Sequence, residues 1–404
     1  MSRIARHLAW LVFLLVVGCG AGISPTTAPP TPPNPPPAAT PTAPRNTPAR
    51  DAPPESLKAI TRDWQTDWSR HTIDYSELLS GGPPRDGIPP LDQPAFVTTE
   101  DAAAWLAGNE PIILFVHNDD ARAYPLQILT WHEIVNDTVG GLPVVVTFCP
   151  LCNSAVVFER QIAGMEMTFG TSGLLRNSDL VMWDRQTESL WQQFTGEGIV
   201  GEMTGAQLTF LPSAIISFAD FRAAYPQGRI LSRETGYSRR YGQNPYAGYD
   251  RIDQNPFLFT GEYDERLPAM ARVVTVALPG DVFVAYPLDV LREIGVINDQ
   301  QGEQDLVVFY NGGTSSALGA AIIAEGEDVG ATGVFAPHVN GRKLTFQQQA
   351  GGIVDDQTGS TWNVLGQATG GPLMGEALPP IIHADHFWFA WAAFRPDTLI
   401  YRPD

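Results

Sequence analysis

Two cysteines separated by two residues, Cys149-Pro-Leu-Cys152, are the strongest chemical candidates in this 404-residue chain. Such a pair can close a disulfide, share a metal ion, or cycle between dithiol and disulfide, and the spacing leaves all three open. It is not a haem attachment site, because Asn153 stands where a histidine is needed. Nor is a thioredoxin-like fold expected, since 153–158 reads as a strand where a helix would be required. His132 is the natural third member. A helix over 126–137 would place His132 and Asn136 with Ile128, Leu129 and Val135, opposite Thr130, Glu133 and Asp137. A buried histidine must be hydrogen-bonded or liganded, and a short turn joins this helix to the strand that ends at Cys149. Thiolates and an imidazole suit copper or zinc, with a position left open for substrate or exchange. The plain alternative is a core histidine satisfied by a backbone carbonyl. A cysteine hydrolase with Cys149 as nucleophile and His132 as base is a lesser option. The zinc-protease helix is excluded, because Asn136 replaces its second histidine.

Other clusters are less specific. Arg239, Arg240 and Tyr241 lie in a tyrosine- and arginine-rich stretch between Arg233 and Tyr263, which could bind a glycan or anion or simply connect two lobes. His383, Asp385 and His386 could ligate a metal, or act as helix-capping polar residues before Phe387-Trp-Phe-Ala-Trp391. Asp184, Gln186 and Glu188 alternate like acidic ligands, but turn chemistry is the default reading.

The elements that must hold these residues occur twice. Ala123-Tyr-Pro-Leu126 recurs as Ala285-Tyr-Pro-Leu288, and without gaps that offset gives 12 identities over 123–156 and 285–318. Asp184, Gln186, Thr187, Ser189 and Trp191 are echoed by Asp355, Gln357, Thr358, Ser360 and Trp362. Each copy reads as a strand (111–117 or 272–278), a turn, Ala-Tyr-Pro, a helix of about twelve residues, and a β-branched strand (144–148 or 306–310). Thr99-Glu-Asp-Ala102 reads as the capped start of an earlier helix. The expectation is a strand-rich α+β fold of two related lobes, 55–235 and 236–404, packed about a pseudo-twofold axis. In the second copy His132, Cys149 and Cys152 become Ile294, Asn311 and Thr314, which confines a Cys/His site to the first lobe. The isoleucine also agrees with burial of the histidine position.

The N-terminus supplies an address. Arg3, Arg6 and His7 precede a short apolar run, and Val16-Val-Gly-Cys19 reads as a lipobox, so 1–18 is a signal peptide and Cys19 the lipid-bearing residue. Residues 25–54 contain 13 prolines and cannot build a core, which makes 19–54 a tether. The chain is thus expected to be exported and held to a bilayer on its extracytoplasmic face through acylated Cys19. A net charge of −19, with Lys58 and Lys343 the sole lysines, argues against a nucleic-acid partner. A small molecule, a metal or a surface partner stays open.

The segments Ala123-Tyr-Pro-Leu126, Trp131-His-Glu-Ile-Val-Asn-Asp137, Thr147-Phe-Cys-Pro-Leu-Cys-Asn-Ser-Ala155 and Gly173-Leu-Leu-Arg-Asn-Ser-Asp179 resemble the bacterial domain-of-unknown-function family 3179. Asp184 to Trp191, Tyr241 to Tyr246 and Phe387 to Trp391 extend the likeness over roughly 85–400. The resemblance implies an exported soluble domain and carries no assigned activity or catalytic residue.

Overall fold

Apolar, β-branched runs become strands throughout, and the computed structural model describes residues 53–403. The expected signal peptide, the lipid-bearing Cys19 and nearly all of the tether lie outside the described residues. No described helix is long and apolar enough to cross a membrane.

β1 (Pro111–His117) reverses at Asn118 and Asp119, both at positive φ, into β2 (Asp120–Pro125), and Pro125 is the N-cap of α1 (Leu126–His132). β3 (Ile134–Val139), β4 (Leu142–Cys149) and β5 (Ser154–Glu159) form an antiparallel meander. β6 (Phe169–Arg176), β7 (Asp179–Asp184) and β8 (Leu190–Gln192) form another. β9 (Ala214–Ser217) then pairs antiparallel with β1, and after α2 (Phe218–Ala224), β10 (Arg229–Leu231) pairs parallel with β2.

The same order follows a long irregular connection. β11 (Arg272–Leu278), β12 (Val282–Pro287), α3 (Leu288–Ile294), β13 (Val296–Gln301), β14 (Gln304–Asn311) and β15 (Ala331–Phe335) come first. β16 (Phe346–Gln349), β17 (Gly352–Asp355) and β18 (Thr361–Trp362) make the second meander. β19 (His383–Phe387) pairs antiparallel with β11, and after α4 (Trp388–Phe394), β20 (Leu399–Ile400) pairs parallel with β12. The architecture is strand-rich α+β.

Several side-chain bonds also repeat. Tyr124 Oη donates to Asp137 and Tyr286 Oη to Asp299, each at 2.7 Å. Asn136 bonds both backbone groups of Phe169, and Asn298 does the same at Phe346. Asp184 accepts from Trp191 Nε1 and Asp355 from Trp362 Nε1. The repeated residues are largely those whose polar groups fix one element against another.

One expectation fails for a local reason. The helix expected over 126–137 ends at His132, because Glu133 adopts φ 57° and Ile134-Val135 enter a strand opposite β4. Asn136 therefore belongs to a strand. The short helix Thr99–Ala102 is capped by Thr98, whose hydroxyl accepts from the Asp101 amide at 3.1 Å.

Apolar clusters join the halves. Phe148 and Phe158 share a core with Trp388 and Phe389, while Phe218 and Phe221 share another with Phe335 and Trp362. Beside the first core, Asp137 takes both of its carboxylate oxygens to Arg122, at 2.9 and 2.8 Å. Both side chains are buried, so Asp137→Ala leaves Arg122 with Asp120 as its remaining partner. The expected cost is about 3 kcal/mol, the low end for a broken buried pair. Urea unfolding measures it, and a loss below about 1 kcal/mol would show that Asp120 suffices.

Candidate metal centre

β4 is the middle strand of its meander, and after the valines at 144–146 it ends at Cys149. A tight turn follows. The Cys152 amide donates to Cys149 O and the Asn153 amide to Pro150 O, with Asn153 at φ 53° before β5 begins. The turn brings the two sulfurs together. Both cysteines are free and buried.

The β6–β7 hairpin supplies the third group. Arg176 pairs with Asp179 across Asn177 and Ser178, at φ 51° and 66°, as in a two-residue type I′ turn. This points the Ser178 carbonyl at both thiols, with Cys152 Sγ at 3.6 Å and Cys149 Sγ at 4.0 Å. One carboxylate oxygen of Asp179 and the two sulfurs all lie within 4.8 Å of one another. Asp179 Oδ2 is fixed by Gln192 Nε2 at 2.6 Å and the Phe194 amide at 3.0 Å. Among the described residues the buried Oδ1 meets no polar group other than the two neighbouring thiols, which favour the ionised carboxylate. Among the described residues this is the one group of three such ligands.

Glu133 joins them electrostatically. Its left-handed backbone is uncommon for a residue with a β-carbon, and it is held by Glu133 N to Leu129 O and Phe148 N to Glu133 O. Burial first, then the charge of Asp179, pushes the Glu133 carboxyl up to about 8. Burial likewise raises Asp179 to about 7, lifts Cys149, and lifts Cys152 well above the ordinary thiol range. Four acidic groups crowd one buried site.

The site adjoins a cavity of about 580 Å3 lined by Glu133, Leu151, Thr171, Leu180, Tyr246 and Tyr249 among others. Among the described residues no arginine or lysine lines it. One wall belongs to the irregular connection between the halves, pinned by Tyr249 Oη to Leu151 O at 3.1 Å and by Ser178 Oγ to Phe257 O.

His132 does not join the cysteines. It is buried as expected, but Nδ1 sits 2.7 Å from Pro89 O and Nε2 is 2.6 Å from Tyr241 Oη. The backbone-carbonyl alternative describes it. Its counterpart Ile294 is 36% exposed, so that isoleucine gives no support for burial at this position. Tyr241 also bonds Thr235, while Arg239 and Arg240 are exposed. His383, Asp385 and His386 lie on β19, and α4 takes Phe387 as a cap without a side-chain bond, so they are not capping residues. Asp184 accepts from the Thr187 amide and hydroxyl, which is turn chemistry.

Asp179 and Glu133 are the site residues that sequence reasoning missed. Asn177-Ser178 between two strands was the available signal for Asp179.

The model for a family of proteins of unknown function, DUF3179, matches residues 85–398. The chain belongs to that family. Every residue of the DUF3179 site described above falls within the matched span. Among curated proteins and among solved structures, nothing matches the chain.

Proposed function

We propose that this DUF3179 protein binds one thiophilic divalent ion, best zinc, through Cys149, Cys152 and Asp179, and uses it on a small uncharged molecule. The observation that carries the reading is the buried group of two free thiols and Asp179, whose Oδ1 meets no polar group of the described residues other than those thiols. A buried acceptor left unbonded costs a few kcal/mol, and a cation is the partner that suits all three ligands. Gln192 and the Phe194 amide then orient the ligating carboxylate from behind. Zinc accepts mixed sulfur and oxygen ligands, whereas copper(I) prefers an all-soft set. Three protein ligands leave a fourth position for water or substrate. Bound there, the ion supplies Lewis acidity.

Glu133, buried beside the site and lining the cavity, is the chain's own group for taking and returning a proton. The absence of cationic lining residues disfavours an anionic substrate. A dithiol cycle is the weaker reading, because it needs a thiolate within reach of an exchange partner and both cysteines are buried. Binding of a glycan at Arg239, Arg240 and Tyr241 is weaker still, since Tyr241 is committed to His132 and Thr235.

We further read the two halves as products of a duplication in which the first alone keeps the site. Recurrent topology and recurrent side-chain bonds support this. The lipobox ending at Cys19 supports work outside the cytoplasm, tethered to a bilayer. Metal analysis of protein purified without oxygen, together with thiol titration, tests the central claim. About one ion per chain with both thiols shielded is expected; a metal-free chain with a disulfide would overturn it.

A further inference from the structure

The two histidines of β19 face a different space. His383 Nδ1 lies 2.9 Å from Ile381 O. A carbonyl can only accept, so Nδ1 carries the proton and Nε2 of the neutral ring is an acceptor. That Nε2 is buried without a partner. His386 is 3% exposed, its ring packed against Phe194 at 4.4 Å and Trp391 at 5.7 Å, and its Nδ1 is also buried without a partner. Buried polar groups are nearly always paired, so two orphaned imidazole nitrogens beside one cavity call for an explanation.

Both rings line a cavity of about 180 Å3 whose walls come from both halves, with Phe210 on one side and Trp391 on the other. An apolar cavity of about 150 Å3 accommodates a benzene ring, so this space fits one ring with small substituents. Arg395 also lines it. Its guanidinium stacks on Phe283 at 4.7 Å and donates to Phe394 O at 3.1 Å. Among the described residues Arg395 has no ion-pair partner, although Asp281 and Glu197 lie within electrostatic range. An unpaired guanidinium at an apolar wall is a carboxylate receptor.

We propose that this cavity binds a single-ring aromatic carboxylate carrying a hydrogen-bond donor. The carboxylate meets Arg395, the ring packs among Phe194, Phe210 and Trp391, and the donor satisfies His383 Nε2. The site uses none of the ligands of the cysteine centre, although Phe194 gives its amide to Asp179 and its ring to this cavity.

Calorimetric titration of the full chain tests it with para-hydroxybenzoate as the probe. Benzoate removes the donor and para-hydroxybenzyl alcohol removes the charge. The probe is expected to bind about tenfold tighter than either, the value of one good hydrogen bond or exposed ion pair. Arg395→Met should equalise probe and alcohol, and His383→Phe should equalise probe and benzoate, in variants whose circular dichroism is unchanged. Cys152→Ser should leave probe binding as it is. No binding at millimolar probe would overturn the proposal, as would equal binding of all three compounds to the unaltered chain.

Discussion

Replacing Cys152 by serine is expected to reduce bound metal from about one ion per chain to below a tenth of that. The hydroxyl has nearly the shape of the thiol, so packing is largely preserved, but it does not ionise near neutral pH and is a poor zinc ligand. With Cys149 and Asp179 alone remaining, affinity should fall by at least two orders of magnitude, more than the loss usual for a supporting residue. Asp179→Asn should weaken binding less, because it keeps an oxygen in place but gives up the charge. His132→Gln is the control. Both nitrogens of His132 are occupied by Pro89 and Tyr241, so this change should lower stability and leave metal content untouched. Elemental analysis of the three folded variants decides the matter. Retention of metal by Cys152→Ser would sink the assignment, and loss of metal in His132→Gln would restore the histidine to the centre.

The cysteines were legible because they are neighbours in sequence at the end of an apolar strand. Asp179 was not, because it arrives from another hairpin and only the left-handed pair Asn177-Ser178 aims it at the sulfurs. Helix periodicity favoured His132 over Glu133. That reading assumed a helix through Asp137, and one residue at φ 57° sends the chain into β3 instead. Few non-glycine residues adopt such a conformation, so pattern alone gives no warning of it. The same limit applies to His383 and His386. Polar residues before an aromatic helix look like caps, but antiparallel pairing with β11 extends the strand through Phe387. Strand positions fared better, since they rest on residues with a fixed structural task. Tyr124 and Asp137, for example, meet as Tyr286 and Asp299 do.

The metal-free protein should lose stability as pH rises from about 6.5 to 8, opposite to the trend expected from paired carboxylates. Glu133 is raised from an ordinary 4.5 to about 8, and Asp179 from 3.8 to about 7, both chiefly by burial. Between those limits the unfolded chain has released protons that the folded chain keeps. Stability therefore falls as pH rises. The contribution is fully present below about pH 4 and gone once pH passes 8. Each pH unit of displacement corresponds to about 1.4 kcal/mol, so the two groups together amount to several kcal/mol. Asp120, lowered to about 2, acts in the other direction in acid below pH 4, and His132 and His386, lowered by burial to about 4 and about 3, offset the acids below about pH 6.5. Denaturant unfolding of chelator-treated protein across this range measures the slope, and Glu133→Gln should flatten the part above pH 6. Zinc should reverse the trend, because the ion binds the deprotonated ligands and its affinity climbs as protons leave. A metal-free chain whose stability stays level from pH 6.5 to 8 would mean that the acids are not held in a buried cluster, and with it the case for a cation among them would fall.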